Sequence, residues 1–476
     1  MRSGFDSIFF LLCLLIGHAA SWAQQPYLTE QMVLQSVVDR YPKIIEQDLL
    51  LQAARENIVS KEGAFDSKLV VQGDQRLSGP YEDAQAGLVG IERRFQPLGL
   101  KTRLNYRVSD QAFPSYEENL ATLDQGEWSF FAEVSLLRNR RIDSFRYQIR
   151  KGQLDALKVE KDRDQLIQML SAEARLIYWS WRFEAQRLRV LRGLLDLAET
   201  RQKALERRVK SGASAKIDLT ENTQVIEQRR AKLIEEELKF NVISQYLSLY
   251  LRSEDGRRIQ PSIEQAEAIV SPEEIIQGAA MTPLDSVDVV RRQPAMARLK
   301  VQRDILELQV LQGENKLLPD VRLGLKASED RGDNPYSSST LAGYENRVFL
   351  NIEIPLERRD GNGTIGQLKA QKKALDQRIR LLSDNIEVQY QTLQRQIDAL
   401  KASTMSFYKS YRSAALVQQA EAKRFQNGIS NLFLLNTRES NAANAYLAWL
   451  SSLSSLQKKR IEYLALIQPA KPSAKD

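Results

Sequence analysis

Proline is missing from two long stretches of this sequence, between Pro114 and Pro261 and between Pro355 and Pro469. An interior proline removes a helical hydrogen bond and clashes with the preceding turn, so such gaps are where long helices can form. If residues 141–210 make one helix, it runs roughly 100 Å at ~1.5 Å per residue. A tube or a coiled coil accommodates that length; few globular domains do. Apolar positions here recur every seven residues. One row is Leu170, Ile177, Leu191, Ala198 and Leu205, broken by Glu184. The other is Ile167, Ala174, Trp181, Leu188, Leu195 and Val209, broken by Gln202. Two such rows, three and four residues apart, form a coiled-coil seam.

A second helix, about 216–252, carries Leu219, Ile226, Leu233, Phe240 and Leu247 at the same spacing. Between the two lies Lys210-Ser211-Gly212-Ala213-Ser214, where Gly212 suits the left-handed cap and Ser214 or Asp218 can begin the next helix. The pattern predicts an antiparallel helical hairpin. It returns 428 − 212 = 216 residues later, with Gly212 mapping to Gly428 and Ser214 to Ser430. The later first-helix row is Ile386, Leu393, Leu400, Phe407 and Ala414; the second-helix row is Leu435, Ala442, Trp449, Leu456 and Tyr463. Agreement over both arms reads as an internal duplication. Upstream of each hairpin, Val37-Val38-Asp39-Arg40-Tyr41-Pro42 and Val289-Val290-Arg291-Arg292-Gln293-Pro294 each open a predicted helix of about two dozen residues.

After each of those helices the period changes to two. Leu100, Thr102, Leu104, Tyr106 and Val108 alternate with Lys101, Arg103, Asn105 and Arg107, and Phe130, Ala132, Val134 and Leu136 with Phe131, Glu133 and Ser135. Later, Val321, Leu323 and Leu325 alternate with Arg322, Gly324 and Lys326, and Val348, Leu350, Ile352 and Ile354 with Arg347, Phe349, Asn351 and Glu353. Strands with one apolar and one charged face have two readings. They build a sheet over a soluble core, or staves of a transmembrane barrel with polar residues toward a watery lumen. Phe95, Tyr106, Phe113, Tyr116 and Trp128 flank the first set, and Tyr336, Tyr344 and Phe349 the second, as aromatic girdles would.

The first residues read as a secretory signal peptide over 1–23. Arg2 supplies the basic start, Ile8 to Gly17 the apolar core, and Ser21-Trp22-Ala23 the small-x-small cleavage site. The only cysteine and only histidine, Cys13 and His18, both lie in it. The expected mature chain of 476 − 23 = 453 residues therefore has neither. That excludes disulfides, Cys/His metal sites and Ser-His-Asp or Cys-His nucleophiles. No cofactor is expected. A carboxylate-dependent hydrolase is left open, though no strand-end carboxylate pair supports it. Loss of Arg2 and Asp6 leaves a balance of 67 − 60 = +7, a thin excess that reads as a solvated helical surface rather than a nucleic-acid site.

The order of these parts resembles the TolC-like outer-membrane efflux proteins of Gram-negative bacteria. Leu136-Leu137-Arg138-Asn139 with Arg141-Ile142-Asp143, and Ile354-Pro355-Leu356-Glu357-Arg358-Arg359-Asp360-Gly361-Asn362-Gly363, are similar to that family's passages from strand into long helix. Lys210 to Ser214 and Gln426-Asn427-Gly428-Ile429-Ser430 resemble its two helical-tip turns. The likeness leaves out the segment near 253–285, an extra strand pair about 86–109, and the tail. It implies a mainly α fold: long antiparallel hairpins forming an α-barrel, with strands from three chains closing one transmembrane β-barrel. The plan is then a first repeat over 24–252, a linker over 253–285, a second repeat over 286–467 and a disordered tail over 468–476. The implied role is a non-enzymatic exit duct of an efflux or type I secretion system, in the outer membrane with its helices in the periplasm. The implied partners are two further copies, outer-membrane lipid, a periplasmic membrane-fusion adaptor and an inner-membrane pump. Gly212, Ser214, Gly428 and Ser430 then mark the adaptor-docking tips. The family's constricting acidic positions fall here on Leu434 and Thr437, while Asp218 and Glu221 stand at the same distances from Gly212 and become the candidate pore constriction. The other reading of Asp218 is a first-turn residue favoured by the helix dipole. A soluble periplasmic coiled-coil adaptor or scaffold is the alternative for the whole chain. Arg331-Gly332-Asp333 reads as a turn, and Asn362-Gly363-Thr364 as a loop before a helix.

Overall fold

A computed structural model describes residues 27–78, 84–109, 122–269, 284–333 and 343–468. The expected signal segment, Phe113, Tyr116, Tyr336, residues 270–283 of the expected linker and residues 469–476 of the tail lie outside the described residues. In chain order the elements are α1 (Glu30–Arg40), α2 (Pro42–Glu62), β1 (Lys68–Gln75), β2 (Gln85–Arg94), β3 (Lys101–Ser109), β4 (Glu127–Ser135), α3 (Ser144–Lys210) and α4 (Lys216–Ser248). They continue as α5 (Ser286–Arg292), α6 (Pro294–Lys316), β5 (Asp320–Asp330), β6 (Gly343–Glu353), α7 (Arg359–Gln426) and α8 (Leu432–Ile467). The proline-free stretches hold α3, of 67 residues, and α7, of 68.

Contacts divide the chain into two interleaved units. One comprises Met1–Ile45, Leu166–Val289 and Glu387–Asp476; the other comprises Glu46–Gln165 and Val290–Ile386. The first is helical. Its core gathers Val33, Val37, Ile44, Ile167, Leu170, Ala174, Tyr178, Trp181, Leu188, Phe240 and Leu247, so most of both predicted rows of α3 and of the row of α4 turn inward, with Ile177, Val209, Leu219 and Leu233 only partly buried. Phe183, Ile269, Trp449, Leu450 and Leu453 form a separate cluster, ringed by Tyr408, Tyr411 and Tyr446. The expected linker is tied into this unit where it is described. Arg252 and Arg258 bridge, the Leu28 N–H donates to the Gln265 carbonyl (2.9 Å), and Ala266 is fully buried.

Several expectations need correction. The helix expected to reach 252 stops at Ser248, where the Leu249 N–H turns back to the Tyr246 carbonyl. The segments before Pro42 and Pro294 are separate helices, α1 and α5. Tyr41 and Gln293 are extended (φ −75°, ψ 123° and φ −70°, ψ 126°), as crowding by a following proline ring requires, and each proline starts the next helix at N1. Phe407 is exposed (44%), although the row from Ile386 predicts it inside. A strict seven-residue row drifts ~20° per heptad around a straight helix, and Tyr390, Ile397 and Thr404 take over the buried line. Asn362-Gly363-Thr364 lies within the first turns of α7 rather than in a loop.

The second unit holds one six-stranded antiparallel sheet in the order β1-β2-β3-β4-β5-β6. Strands β2 and β3 are the extra pair; β1 went unrecognised, because Val70 and Gly73 blur the alternation of KLVVQGDQ. Passages to and from helices all reach one end of the sheet. The β2–β3 connection at that end spans only residues 95–100, whereas connections at the far end span 76–84, 110–126 and 331–342.

Candidate functional site: a two-faced sheet and two helical tips

The pairing register sorts side chains by chemistry, because alternate residues of a strand point to opposite faces. On one face, Leu69 lies opposite Ile91, which lies opposite Leu104, then Phe130. Across the later strands Leu325 faces Val348 and Leu323 faces Leu350. This face is open to its surroundings: Leu69 is 70% exposed, Val348 69% and Ile352 58%. Tyr106, Trp128, Glu329 and Tyr344 form one row across it near the far end, and the Tyr106 and Trp128 rings lie 5.0 Å apart. Phe349, grouped with the girdle from sequence, is on the other face, stacked with Phe131 at 5.8 Å. Gly324 makes that possible, since a Cβ there would stand 2.0 Å from the Phe349 ring.

The second face carries paired charge. Arg103 donates to Glu92 from Nη2 (2.7 Å) and Nε (3.1 Å), and Lys101 stands 3.3 Å from the same carboxylate. Glu127, only 7% exposed, receives Arg107 and the Lys326 Nζ (3.1 Å). These two acidic residues hold bases from β3 and β5, so the pairs cross strands. The Arg331-Gly332-Asp333 segment is a turn: Gly332 has φ +111°, and the Asp333 N–H donates to Asp124 Oδ1 (2.9 Å).

In the helical unit the two tips are built alike. Gly212 and Gly428 have φ +77° and +75°. The Ala213 N–H reaches the Arg208 carbonyl (2.8 Å) and the Gly212 N–H that of Val209 (3.0 Å). At the other tip Ile429 reaches Arg424 (2.9 Å) and Gly428 reaches Phe425 (3.1 Å). Each is a Schellman motif, which needs a left-handed residue at the glycine position. Open space surrounds both glycines, so backbone geometry and not crowding selects them. The serines do not cap: Ala215 is the N-cap of α4 and makes no side-chain bond, whereas Asn431 caps α8 by accepting from the Leu434 N–H (2.9 Å). Ser430 Oγ is buried without a partner.

Asp218 sits half-buried in the first turn of α4, where the helix dipole favours an acid. Glu221, one turn on, has Asn436 Nδ2 at 3.5 Å. Beside it lies a cluster that sequence reasoning missed. Glu439, 3% exposed, binds both Arg201 and Arg229 (3.0 Å to the latter), and Arg201 also donates to Asn436 Oδ1 (2.7 Å). The cluster joins α3, α4 and α8. The signal available in sequence was a charged residue on the apolar face of Leu435 and Ala442, at helical spacing from both. Higher on the same hairpin, Glu184 packs against Glu236 and Arg187. Burial and then the neighbouring Glu236 push the Glu184 carboxyl up to about 7, while the Glu236 carboxyl, with burial opposing, is held below its ordinary value by its hydrogen bond with Glu184 and then by Arg187 and Lys239. No metal-binding cluster occurs among the described residues.

No family model matches the chain, and no curated protein matches it in sequence. Solved structures do match. The open-state MtrE outer membrane channel of Neisseria gonorrhoeae is 12% identical, with a TM-score of 0.66 over 94% of this chain and 91% of that one. A membrane protein from Pseudomonas aeruginosa is 13% identical, with a TM-score of 0.65 over 92% and 93%. The CmeC outer membrane channel of Campylobacter jejuni is 10% identical, with a TM-score of 0.62 over 94% and 87%. The likeness thus extends over nearly the whole length of these proteins. The fold of this chain is that of the TolC-like outer-membrane channels.

Proposed function

We propose that the protein is a trimeric outer-membrane channel, the exit duct of a tripartite efflux or type I secretion system. Substrates leave an inner-membrane pump, pass a periplasmic adaptor and cross the outer membrane through it. The observation that carries this reading is the polarity of the sheet. Leu69, Val71, Val89, Ile91, Leu104, Phe130, Val348, Leu350 and Ile352 are exposed on one face while charges pair on the other. A soluble protein hides such an apolar face; a barrel stave turns it to lipid and keeps its charges toward water. Long connections at one end of the sheet and a short turn at the helix end match outer-membrane barrels, with long loops outside and short turns in the periplasm. No described helix is long and apolar enough to cross a membrane.

In this reading Gly212, Ser214, Gly428 and Ser430 mark the adaptor-docking tips, and Asp218 and Glu221 from three copies ring the constriction. The matching tips, with φ values 2° apart and the same motif, support an internal duplication of the hairpin. The soluble-adaptor alternative leaves the apolar sheet face uncovered. Membrane fractionation decides between them: the channel reading expects an outer-membrane protein with a heat-modifiable trimeric band, and a purely soluble monomer overturns it.

A further inference from the structure

The sheet has two unpaired edges among the described residues, β1 and β6, and an open edge in lipid leaves backbone groups without partners. With an even number of strands per copy, β6 runs opposite to β1. Copies related by an axis along the barrel therefore meet in antiparallel fashion. The geometry points to a specific seam: β6 of one copy pairs with β1 of the next, Lys68 opposite Glu353 and Asp74 opposite Arg347, closing an eighteen-stranded barrel. This rests on the trimeric-channel reading, which supplies the number of copies.

Three observations select that register. The first is polarity. Leu69 and Val71 on β1, and Leu350 and Ile352 on β6, lie on the exposed apolar face. A one-residue slip would turn one set toward the lumen, so only registers differing by two are admissible. The second is tilt. Following the pairing across the sheet, Lys68 leads to Glu92, Arg103, Phe131, Lys326 and Arg347. Placing Arg347 opposite Asp74 of the next copy advances the ladder by 74 − 68 = 6 residues for every six strands. With ~3.3 Å per residue and ~4.7 Å between strands, that displacement tilts the strands by about 35°. A displacement of four gives about 25°, too upright for a closed barrel, and one of eight gives about 43°.

Charge decides between six and eight. At six, Lys68 meets Glu353 and Asp74 meets Arg347 on the polar face, and Val71 meets Leu350 on the apolar one. At eight, Arg76 meets Arg347 and Lys68 meets Pro355, which lies past the end of β6. Both acid–base matches appear in one register because Lys68 to Asp74 and Arg347 to Glu353 span the same number of residues. Lys68, Asp74, Arg347 and Glu353 are all exposed in the single chain, and opposite charges directly facing one another across two strands favour their pairing. The barrel so closed is roughly 33 Å between opposite backbones. Its lumen carries a charge ladder from Lys68 through Glu92, Arg103 and Lys326 to Arg347 and Asp74.

Cysteine pairs test the seam in the full-length protein, in a Cys13→Ser background that holds no other cysteine. Facing residues bring Cβ atoms within ~5.5 Å, whereas diagonal neighbours stand ~7 Å apart, beyond ordinary disulfide reach. Val71→Cys/Leu350→Cys, oxidised in isolated outer membranes, is expected to give covalent dimers and trimers. Val71→Cys/Val348→Cys and Val71→Cys/Ile352→Cys are expected to stay monomeric on denaturing gels. Cross-linking in a shifted pair instead overturns the register. Absence of cross-links in every pair, with native mass spectrometry still giving a trimer, overturns the seam and leaves the trimeric channel standing. A monomer in native mass spectrometry overturns the channel reading itself. Independently, Lys68→Glu and Glu353→Lys are each expected to lower the temperature at which the trimer band dissociates, and the double exchange to restore it. A double variant no better than the singles refutes the pair.

Discussion

Glu184 stands where the row Leu170, Ile177, Leu191 would place an apolar side chain, and Arg187, Glu236 and Lys239 gather around it. Its carboxyl is pushed up to about 7, from an ordinary value of 4.5. A carboxyl whose folded pKa is raised keeps its proton while the unfolded chain gives it up. The folded state therefore loses stability as pH rises from about 4.5 to 7, and no more above that. Glu236 acts in the opposite sense, weakening the fold as pH falls below its unfolded value. Glu184→Gln is thus expected to raise the melting temperature at pH 8 and to remove most of the fall between pH 5 and pH 7 in thermal scans; an unchanged profile would show that the pair is solvated. At the tips, Gly428→Val forces a branched side chain into the left-handed region, at a cost of about 1–2 kcal/mol, with no neighbour for it to clash against. Export is expected to fall while the trimer stays in the membrane, as read by substrate efflux beside a trimer gel. Export intact in that variant would sink the docking role. Both glycines were legible from sequence, because a left-handed cap is a local requirement. The partners of Glu184 were not: Glu236 lies on α4, and which residues of α3 it meets depends on how the hairpin closes.

Among elements, the buried link from Glu439 to Arg201 and Arg229 ties α3, α4 and α8 together near the tips. Removing the shared carboxylate leaves two guanidinium groups uncompensated, so Glu439→Ala is expected to destabilise by about 3–5 kcal/mol. Glu439→Gln, which keeps a carbonyl acceptor, is expected to cost less. Denaturant melts of the two variants in detergent check this ordering, and equal stabilities would mean that the link is worth little. The long helices were legible because proline absence and seven-residue rows are strong, redundant signals. Two failures have physical causes. Phe407 lies on a strict heptad that a straight helix does not follow, so the row runs out of the seam while Ile397 and Thr404 stay within it. Strand β1 was missed because its alternation is interrupted by Val70 and Gly73, and only its ladder with β2 makes it a strand.

For the whole molecule, the two-faced strands were visible from their period, but their meaning was not. A sheet over a soluble core and a barrel stave share one alternation and differ in which face is covered. In the structure the apolar face is bare and the polar face paired, which is what supports the proposed stave reading. The proposed ring of Asp218 and Glu221 belongs to this scale too, since it requires three copies to meet. Planar-bilayer recordings of Asp218→Ala/Glu221→Ala are expected to lose cation preference, and unchanged selectivity and conductance would sink the ring. The hairpin of β2 and β3 has a consequence of another kind. Its two strands are joined by residues 95–100, which hold a single 3-10 turn at Pro97–Gly99, and no α-helix begins or ends within it. Strands added two at a time preserve the direction in which every other strand enters its helix. On the channel reading, bore and scaffold are therefore independent variables, because a whole hairpin added to the sheet widens the barrel and leaves every strand-to-helix passage in place.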